Sequence, residues 1–406
     1  MRHFLFALLC LTFTAPASAQ QTDAAAAGLD PEGLERYTAW VTREIAEHRL
    51  PMAETMIFRH GTLGYHDVQG VSDVSAGNAL EAGQLYHLMS MTKPIVTVAF
   101  MMLYEEGHFQ LDDAVADYLP EFREMRVALS QQEDTDGPAA PAETAITIKQ
   151  VLSHTAGFSH GLAGTPFDNA VATKLYLSPQ ADIAARVKTL ASLPLIGEPG
   201  KQWFYSASPD ILARLIEVFS GQPVNAFLQE RLFDPLGMDD TGYNIPAAEQ
   251  DRLVANHDVK DDALSKAALQ LPSTGNTVFG GTHGLYSTAA DYLKFCRMLL
   301  NRGELDGHHY LSPATVDYMT TNQVGDLRGG GQGFGLGFGV ITDITKTDVI
   351  GNNGQYFWSG AYSTYFFIDP AEDLIAIMLS QRSPYSGYHE RMLRQMVYQT
   401  LDAGQK

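Results

Sequence analysis

The distribution of strand-like segments is the feature that most constrains the fold. These segments lie at the two ends of the chain, and a helical middle lies between them. Near the N-terminus, residues 55–71 have the pattern of a β-hairpin turning at His60-Gly61. Toward the C-terminus, residues 335–342, 362–368 and 374–380 are strand-like. The pattern predicts an α+β fold, an α/β sandwich. In this fold both chain ends build one antiparallel sheet, which is flanked by helices and interrupted by a large, mostly helical insertion lobe.

Helices are predicted where apolar periodicity coincides with signals for a helix end. Residues 30–48 have a helical apolar pattern, and a terminal helix is predicted near 389–401. The run Ser208-Pro209-Asp210 offers an N-cap residue, a first-turn proline and an acid at the positive end of a helix. Gly221 is expected to end that helix.

Two further helix starts and one loop complete the middle of the chain. Thr147 and Gln150 have the spacing of a capping box at the start of a short helix. Thr288 is expected to cap a later helix that buries Cys296. Residues 130–143 are polar, acidic and broken by glycine and proline, which predicts a mobile loop.

The first residues have the pattern of a secretory signal peptide. Arg2 precedes an apolar stretch at 4–13, and Ala17-Ser18-Ala19 forms a cleavage site of small residues. The apolar stretch is too short to cross a bilayer. We therefore predict that residues 1–19 are a signal peptide and that the protein is exported, to the periplasm or out of a bacterial cell.

Removal of this peptide would leave Cys296 as the single cysteine, so no intramolecular disulfide is predicted. Stability must then come from a packed core, for which an apolar content of 45% is sufficient. We predict one two-lobed domain over residues 20–406. Its lobes are a sheet lobe at about 30–85 and 330–406 and a helical lobe at about 86–329.

The charge and the distribution of histidines limit the possible partners. A formal net charge of −20 argues against binding to nucleic acid or to anionic membranes, both of which attract basic surfaces. No segment after residue 20 is apolar for long enough to be an integral membrane span.

The histidines are scattered, and His308-His309 lies in a polar loop, so no metal or other cofactor is predicted. The oligomeric state stays open.

The run Ser90-Met91-Thr92-Lys93 indicates the chemistry. Residues three apart on a helix share a face, so Ser90 and Lys93 would point the same way, one turn apart. A serine hydroxyl is a weak nucleophile until a neighbouring base takes its proton. Burial can lower the pKa of a lysine by several units, which would let Lys93 be that base.

The region around Ser90 resembles the nucleophile region of β-lactamase-like serine hydrolases, especially the family VIII carboxylesterases. The matching residues run from Tyr86 to Ile95, and three more motifs follow in the expected order. They are Leu152-Ser153-His154-Thr155-Ala156-Gly157, Pro199-Gly200-Lys201-Gln202-Trp203-Phe204-Tyr205-Ser206 and Trp358-Ser359-Gly360. The resemblance covers roughly residues 30–400 and implies the β-lactamase/transpeptidase-like fold.

The resemblance implies a role for each matching residue. Ser90 would attack the substrate carbonyl and form an acyl-enzyme, with Lys93 and Tyr205 as one coupled base. The backbone N–H groups of Ser90 and Ala361 would form the oxyanion hole. Residues Trp358, Ser359 and Gly360 would line the substrate pocket.

Two departures from the family pattern favour an ester substrate. Ala207 stands where the β-lactam and peptidoglycan branches place an asparagine, and Trp358 stands where they place a lysine that holds a carboxylate. We therefore predict a secreted carboxylesterase for small or short-chain esters. A D-amino-acid amidase or peptidase and a weak β-lactamase are alternatives on the same scaffold. A non-enzymatic protein that binds cell-wall fragments or a partner is a third.

One further motif gives a competing nucleophile. The run Gly157-Phe158-Ser159-His160-Gly161 matches the Gly-x-Ser-x-Gly elbow of α/β-hydrolases, in which a strand precedes the serine and a helix follows it. Here a short helix is predicted before Ser159 and a loop after it, so a structural role is favoured. His283 lies in a glycine-rich run, where it either touches the site or caps a turn.

Overall fold

A computed structural model describes residues 22–261 and 263–401, and the predicted signal peptide lies outside them. Its centre is one eight-stranded antiparallel sheet. Within the described part of the chain, no helix has both the length and the apolarity needed to cross a membrane. The strands are β1 (Met52–Arg59), β2 (Thr62–Asp73), β3 (Asn78–Ala79), β4 (Gln332–Phe334), β5 (Gly339–Ile341), β6 (Tyr356–Gly360), β7 (Thr364–Asp369) and β8 (Leu374–Leu379).

The order of the strands joins the two ends of the chain, as predicted. It reads β4-β5-β6-β7-β8-β1-β2-β3, so the N-terminal hairpin pairs with the last C-terminal strand. In that pairing Thr55 lies opposite Met378. All eight residues of β1 are buried, because packed elements cover both faces of the sheet at this position.

The described part of the chain has six longer helices. Helices α1 and α6 pack on one face, where Trp40 and Leu393 share a core cluster with Ile57 and Phe367. Helices α2, α4 and α5 belong to the core on the other face. The six are α1 (Pro31–Ala46), α2 (Thr92–Glu105), α3 (Ile183–Ser192), α4 (Pro209–Ser220), α5 (Ala289–Leu300) and α6 (Gly387–Tyr398).

Shorter elements connect these helices and strands. The short helices are Val115–Tyr118, Ile148–Leu152, Pro166–Ala172, Val224–Leu228, Asp234–Leu236 and Pro313–Met319. The small strand pairs join Tyr86–His87 to Tyr286–Ser287, Arg126–Ala128 to Ala139–Pro141 and Glu304–Leu305 to His308–His309. His257–Lys260 pairs with both Ala263–Lys266 and Arg382–Ser383.

Most of the predicted helix ends are confirmed. The capping box of Thr147 and Gln150 is present, Thr288 accepts a hydrogen bond from the N–H of Asp291, and Gly221 ends α4 in a left-handed conformation. The prediction that the side chain of Ser208 caps α4 is wrong. Its backbone is already helical, and its hydroxyl lies 2.6 Å from that of Ser206 instead.

Two segment predictions also need correction. Residues 335–342 are not one strand, since only the part in β5 pairs within the sheet. The N–H groups of Leu336 and Gly337 bond to carbonyls of Met319 and Leu152, which takes this stretch out of the ladder. The predicted loop at 130–143 contains the strand Ala139–Pro141, which pairs with Arg126–Ala128 to close a hairpin.

Helix α2 is the most enclosed of the long helices, because every residue from 92 to 103 is buried. Phe100 is fully buried and stacks on Phe109 with ring centroids 4.4 Å apart. A helix enclosed on all sides has no freedom to shift in its environment. The side chains in its first turn are therefore held in fixed positions.

We expect Phe100→Ala to lower the free energy of unfolding by about 3–5 kcal/mol, because it leaves a cavity in a close-packed core. Phe100→Leu keeps most of the volume and should lower it clearly less. Urea denaturation measures both values. Equal losses in the two variants would contradict the packing described for α2.

Candidate active site

Ser90 lies at the start of α2, in a tight helical turn formed by Met89–Met91. Pro94 occupies the first turn of α2, where its missing N–H removes no helical hydrogen bond. Met89 has a φ of 51°, a strained value for a residue other than glycine. The chain is thus bent sharply just before Ser90, whose side chain is almost wholly buried.

Lys93 reaches Ser90 from the next turn of the helix. Its Nζ lies 3.1 Å from Ser90 Oγ and donates a hydrogen bond to the carbonyl of Thr282 at 2.9 Å. Only 1% of the residue is exposed, and no carboxylate lies within ion-pair distance in the described ranges. Burial lowers the pKa of Lys93 to about 7, although the negative charge of Asp210 opposes the shift.

Tyr205 contacts the same hydroxyl. Its Oη donates to Ser90 Oγ at 2.6 Å, and its ring centroid lies 4.6 Å from Lys93 Nζ. Burial raises the pKa of Tyr205 above its usual value. At neutral pH this phenol therefore holds its proton, while Lys93 is divided between its neutral and charged forms.

The loop after Gly280 holds the carbonyl that Lys93 contacts. Asp210, in the first turn of α4, accepts a hydrogen bond from the N–H of Thr282 at 2.8 Å. A Cβ on Gly281 would lie 2.0 Å from the carbonyl oxygen of Pro209, so only glycine allows this approach. The start of α4 therefore positions Thr282, and Thr282 orients Lys93.

The end of β6 packs directly against the segment before Ser90. A Cβ on Gly360 would lie 2.3 Å from the carbonyl oxygen of Leu88, and Thr364 Oγ1 donates to that oxygen at 3.2 Å. Ala361 follows in a turn and is itself exposed. Neither the Ser90 nor the Ala361 amide donates a hydrogen bond to an acceptor in the described part of the chain.

Trp358 and Ser359 border a cavity, whereas Gly360 does not. The Trp358 ring lies 5.4 Å from the ring of Tyr205, and the residue is 8% exposed. Beyond it is a cavity of about 320 Å³ that Ser359 also lines. We call this the edge cavity. A larger cavity of about 510 Å³ lies between residues of the helical region and is lined by none of the predicted site residues.

A third cavity, of about 270 Å³, is lined by His87, Tyr176 and His283. His283 packs against Tyr176 with ring centroids 5.3 Å apart and directly follows Thr282. Burial lowers the pKa of both His87 and His283 to about 3, so these two histidines are neutral at physiological pH. The ring neighbours of His283 are Tyr176 and His87, so its contact with the site stays a prediction.

His160 is the site residue that the sequence reasoning missed. Its Nε2 lies 3.5 Å from Lys93 Nζ, and its ring stacks on that of Tyr205 at 4.6 Å. Burial, together with the charge of Lys93, lowers the pKa of His160 well below its usual value. The available signal was its place in the Gly157–Gly161 motif.

Ser159, the competing nucleophile, has a structural environment. Its hydroxyl donates to Asp168 at 2.5 Å and accepts from the N–H of Gly161 at 2.8 Å. No strand precedes it, since the chain before it forms a turn after the helix Ile148–Leu152. The strand–serine–helix arrangement of an α/β-hydrolase elbow is therefore absent at this position.

The fold and the Ser-x-x-Lys turn at the head of a buried helix define a protein of the β-lactamase/transpeptidase-like class. A solved structure, EstCE1, described as a hydrolase with promiscuous acyltransferase activity, has the same fold. It superposes with a TM-score of 0.77 at 26% sequence identity, covering 90% of this chain and 98% of its own. The predicted fold class is confirmed.

Sequence comparison identifies the family. A family model described as Beta-lactamase matches residues 37–400. Protein Rv1367c of Mycobacterium tuberculosis is 33% identical over 354 residues, 82% of this chain and 86% of that protein. Esterase EstB of Burkholderia gladioli is 30% identical over 396 residues, 91% of this chain and 96% of that protein. The chain belongs to the β-lactamase family, which confirms the predicted enzyme class, a carboxylesterase-like serine hydrolase.

We expect Gly360→Ala to lower the free energy of unfolding by about 1–3 kcal/mol, because the new methyl group would overlap the backbone of Leu88. Gly242→Ala is the matched control, since its nearest neighbour would be 3.8 Å from the added Cβ. Urea denaturation compares the two variants. The close packing of β6 against the Ser90 segment would be contradicted if both were as stable as the wild type.

Proposed function

We propose that this protein is an exported carboxylesterase that acts through an acyl-enzyme on Ser90. The observation that carries the proposal is the convergence of Lys93 Nζ and Tyr205 Oη on Ser90 Oγ, at 3.1 and 2.6 Å. A serine nucleophile is activated when groups that accept and donate protons contact its hydroxyl. Lys93 and Tyr205 are two such groups, and both contact the buried hydroxyl of Ser90.

Lys93 is the proposed base. Because its pKa is about 7, a large fraction is neutral at physiological pH and has a lone pair for the Ser90 proton. Ser90 Oγ then bonds to the carbonyl carbon, and the carbonyl oxygen takes the negative charge. The free N–H groups of Ser90 and Ala361 are the proposed donors to that oxygen.

Tyr205 is the proposed acid for the leaving group. It holds its proton, because burial raises its pKa, and it already donates to Ser90 Oγ. When the bond from the carbonyl carbon to the ester oxygen breaks, that oxygen takes the proton of Tyr205, and the proton on Lys93 replaces it. Water then repeats the sequence in reverse to release the acid and restore Ser90.

The wall of the site favours esters over β-lactams. Trp358 presents an aromatic surface beside Tyr205, and the buried Ala207 offers no side-chain amide to a substrate. A relative at 30% identity, EstB, is named an esterase. We propose small or short-chain esters as the substrate class.

Export rests on the sequence of residues 1–19, and N-terminal sequencing of the mature protein tests it.

We expect Ser90→Ala to reduce hydrolysis of a short-chain 4-nitrophenyl ester by at least about 1,000-fold, because it removes the nucleophile. Ser159→Ala is the control and should keep the wild-type rate when the variant is folded. Steady-state kcat/KM measures both. Activity that survives in Ser90→Ala but is lost in folded Ser159→Ala would reverse the assignment.

The same pair of proteins separates the alternatives. A matched D-amino-acid amide and a chromogenic cephalosporin are assayed beside the ester. Faster turnover of the amide would make the protein an amidase, and faster turnover of the cephalosporin would make it a β-lactamase. Turnover of none of the three by folded wild type would favour a binding protein.

We expect kcat/KM for the ester to fall about tenfold per pH unit below pH 7 and to level off above it, because only neutral Lys93 accepts the proton. The sign follows from a base that is active above its pKa of about 7 and charged below it. The pKa values of His87 and His283 are about 3, so neither histidine titrates in this range. A profile that is flat between pH 5.5 and 8 would contradict Lys93 as the base.

A further inference from the structure

The amino group of Lys93 has three hydrogen-bond partners in the described part of the chain. Its Nζ lies 2.9 Å from the carbonyl oxygen of Thr282, 3.1 Å from Ser90 Oγ and 3.5 Å from His160 Nε2. The contact with His160 is long, and catalytic hydrogen bonds that are long in an enzyme without substrate often shorten when the substrate binds. Thr282 and Ser90 have roles in the mechanism proposed above, whereas His160 has none.

The protonation state of Lys93 determines how it fills these three contacts. A charged ammonium has three N–H donors, one for each partner. A neutral amine has two N–H donors and one lone pair, arranged tetrahedrally. When the carbonyl of Thr282 and His160 Nε2 accept the two N–H groups, the lone pair is left facing Ser90 Oγ. The lone pair then takes the proton of Ser90, and the new N–H of the ammonium points back at Oγ.

The contact with Lys93 also bears on which nitrogen of His160 carries a proton. Burial and the charge of Lys93 hold the pKa of His160 well below its usual value, so the ring is neutral. A neutral imidazole has one N–H and one acceptor nitrogen, and a charged lysine can bond only to the acceptor. Nδ1 is buried and has no hydrogen-bond partner among the described residues, so no other contact there favours the opposite tautomer.

The ring of His160 is held beside Lys93 by its packing. It stacks on the ring of Tyr205 with centroids 4.6 Å apart and planes 16° apart, and the ring of Tyr176 lies 5.9 Å away. The carbonyl of Ser159 accepts a hydrogen bond from the N–H of Ala207 at 3.2 Å. This bond ties the residue before His160 to the segment that follows Tyr205, so the imidazole and the phenol keep a fixed relation.

We propose that His160 is a positioning residue that accepts a hydrogen bond from Lys93 through Nε2, with its own proton on Nδ1, and so directs the lone pair of neutral Lys93 at Ser90 Oγ. The inference rests on the proposed function and deepens its account of the base. In this role His160 neither gains nor loses a proton, because the proton of Ser90 passes to Lys93 alone.

The titratable groups around Lys93 and His160 leave one titration near neutral pH. Four of them are buried aromatic side chains, namely His154, His283, Tyr176 and Tyr205. Burial lowers the pKa of both histidines and raises the pKa of both tyrosines, so none of the four changes charge between pH 5.5 and 8. Asp210 also acts on Lys93, and its Oδ2 lies 3.7 Å from Arg186. The acid limb of the rate profile therefore reports Lys93.

The test compares the pH profiles of kcat/KM for a short-chain 4-nitrophenyl ester in wild type, His160→Phe and His160→Gln. Phenylalanine keeps a ring against Tyr205 but offers no acceptor, whereas glutamine can place an amide oxygen near the position of Nε2. We expect His160→Phe to lower the plateau about tenfold to hundredfold, mainly through kcat. Its acid limb should move about half to one unit to lower pH, because the charged form of Lys93 has lost an acceptor. His160→Gln should restore the midpoint and most of the rate.

Ser159→Ala is the matched control, because it removes the hydroxyl next to His160 but keeps the imidazole and the backbone bond to Ala207. Its midpoint should equal that of wild type. A folded His160→Phe that also has the wild-type midpoint would overturn the proposal, since a ring that only packs would lower the rate without moving the midpoint.

A second measurement, NMR of wild type with ¹⁵N-labelled histidine at pH 7, locates the proton without relying on activity. We expect a neutral ring protonated on Nδ1, assigned to His160 because its signals are missing in His160→Gln. A proton on Nε2 would overturn the proposal even in an active enzyme. If the ester is not cleaved but the proton lies on Nδ1, the contact with Lys93 stands and the esterase function fails. If the ester is not cleaved and the proton lies on Nε2, both fail.

Discussion

The burial of one ammonium group, that of Lys93, is the constraint on which the site depends. Charge is costly inside a protein, and this group has no carboxylate partner in the described structure to offset that cost. Its proton is therefore held weakly, and it can serve as the proposed base. Asp210 is close enough to oppose the shift, but its Oδ1 accepts a hydrogen bond from the N–H of Thr282 and its Oδ2 lies 3.7 Å from Arg186. The same carboxylate thus positions the loop and leaves the lysine unpaired.

Everything around Lys93 preserves that environment. Helix α2 is enclosed on all sides, so the lysine cannot turn toward solvent without breaking the core. Glycine at 281 lets the backbone of Pro209 approach closely, and glycine at 360 does the same for the backbone of Leu88. Tyr205 closes another side with its ring. Burial disfavours the charged form of each group. Tyr205, the proposed acid, therefore keeps its proton, whereas Lys93, the proposed base, gives its proton up more easily.

Local signals predicted much of the fold, because they depend on residues close in sequence. The capping box at Thr147 and the helix end at Gly221 were predicted in this way. The pairing of both chain ends in one sheet was predicted instead from the distribution of strand-like segments along the whole chain. Two predictions failed for different reasons. Ser208 does not cap because its backbone is already helical and its hydroxyl contacts that of Ser206, two residues away. Residues 335–338 leave the sheet because the distant residues Met319 and Leu152 accept backbone hydrogen bonds from Leu336 and Gly337.

The sequence by itself determined the chemistry available at the site. A serine and a lysine three residues apart at a helix start share a face, whatever surrounds them. The family motifs likewise identified Tyr205 and the end of β6 as their partners. Only the tertiary structure decided the pKa of Lys93 and the contact of His160 with it. These properties depend on burial and on distances between residues far apart in the chain, and the spacing of residues along a sequence does not record either.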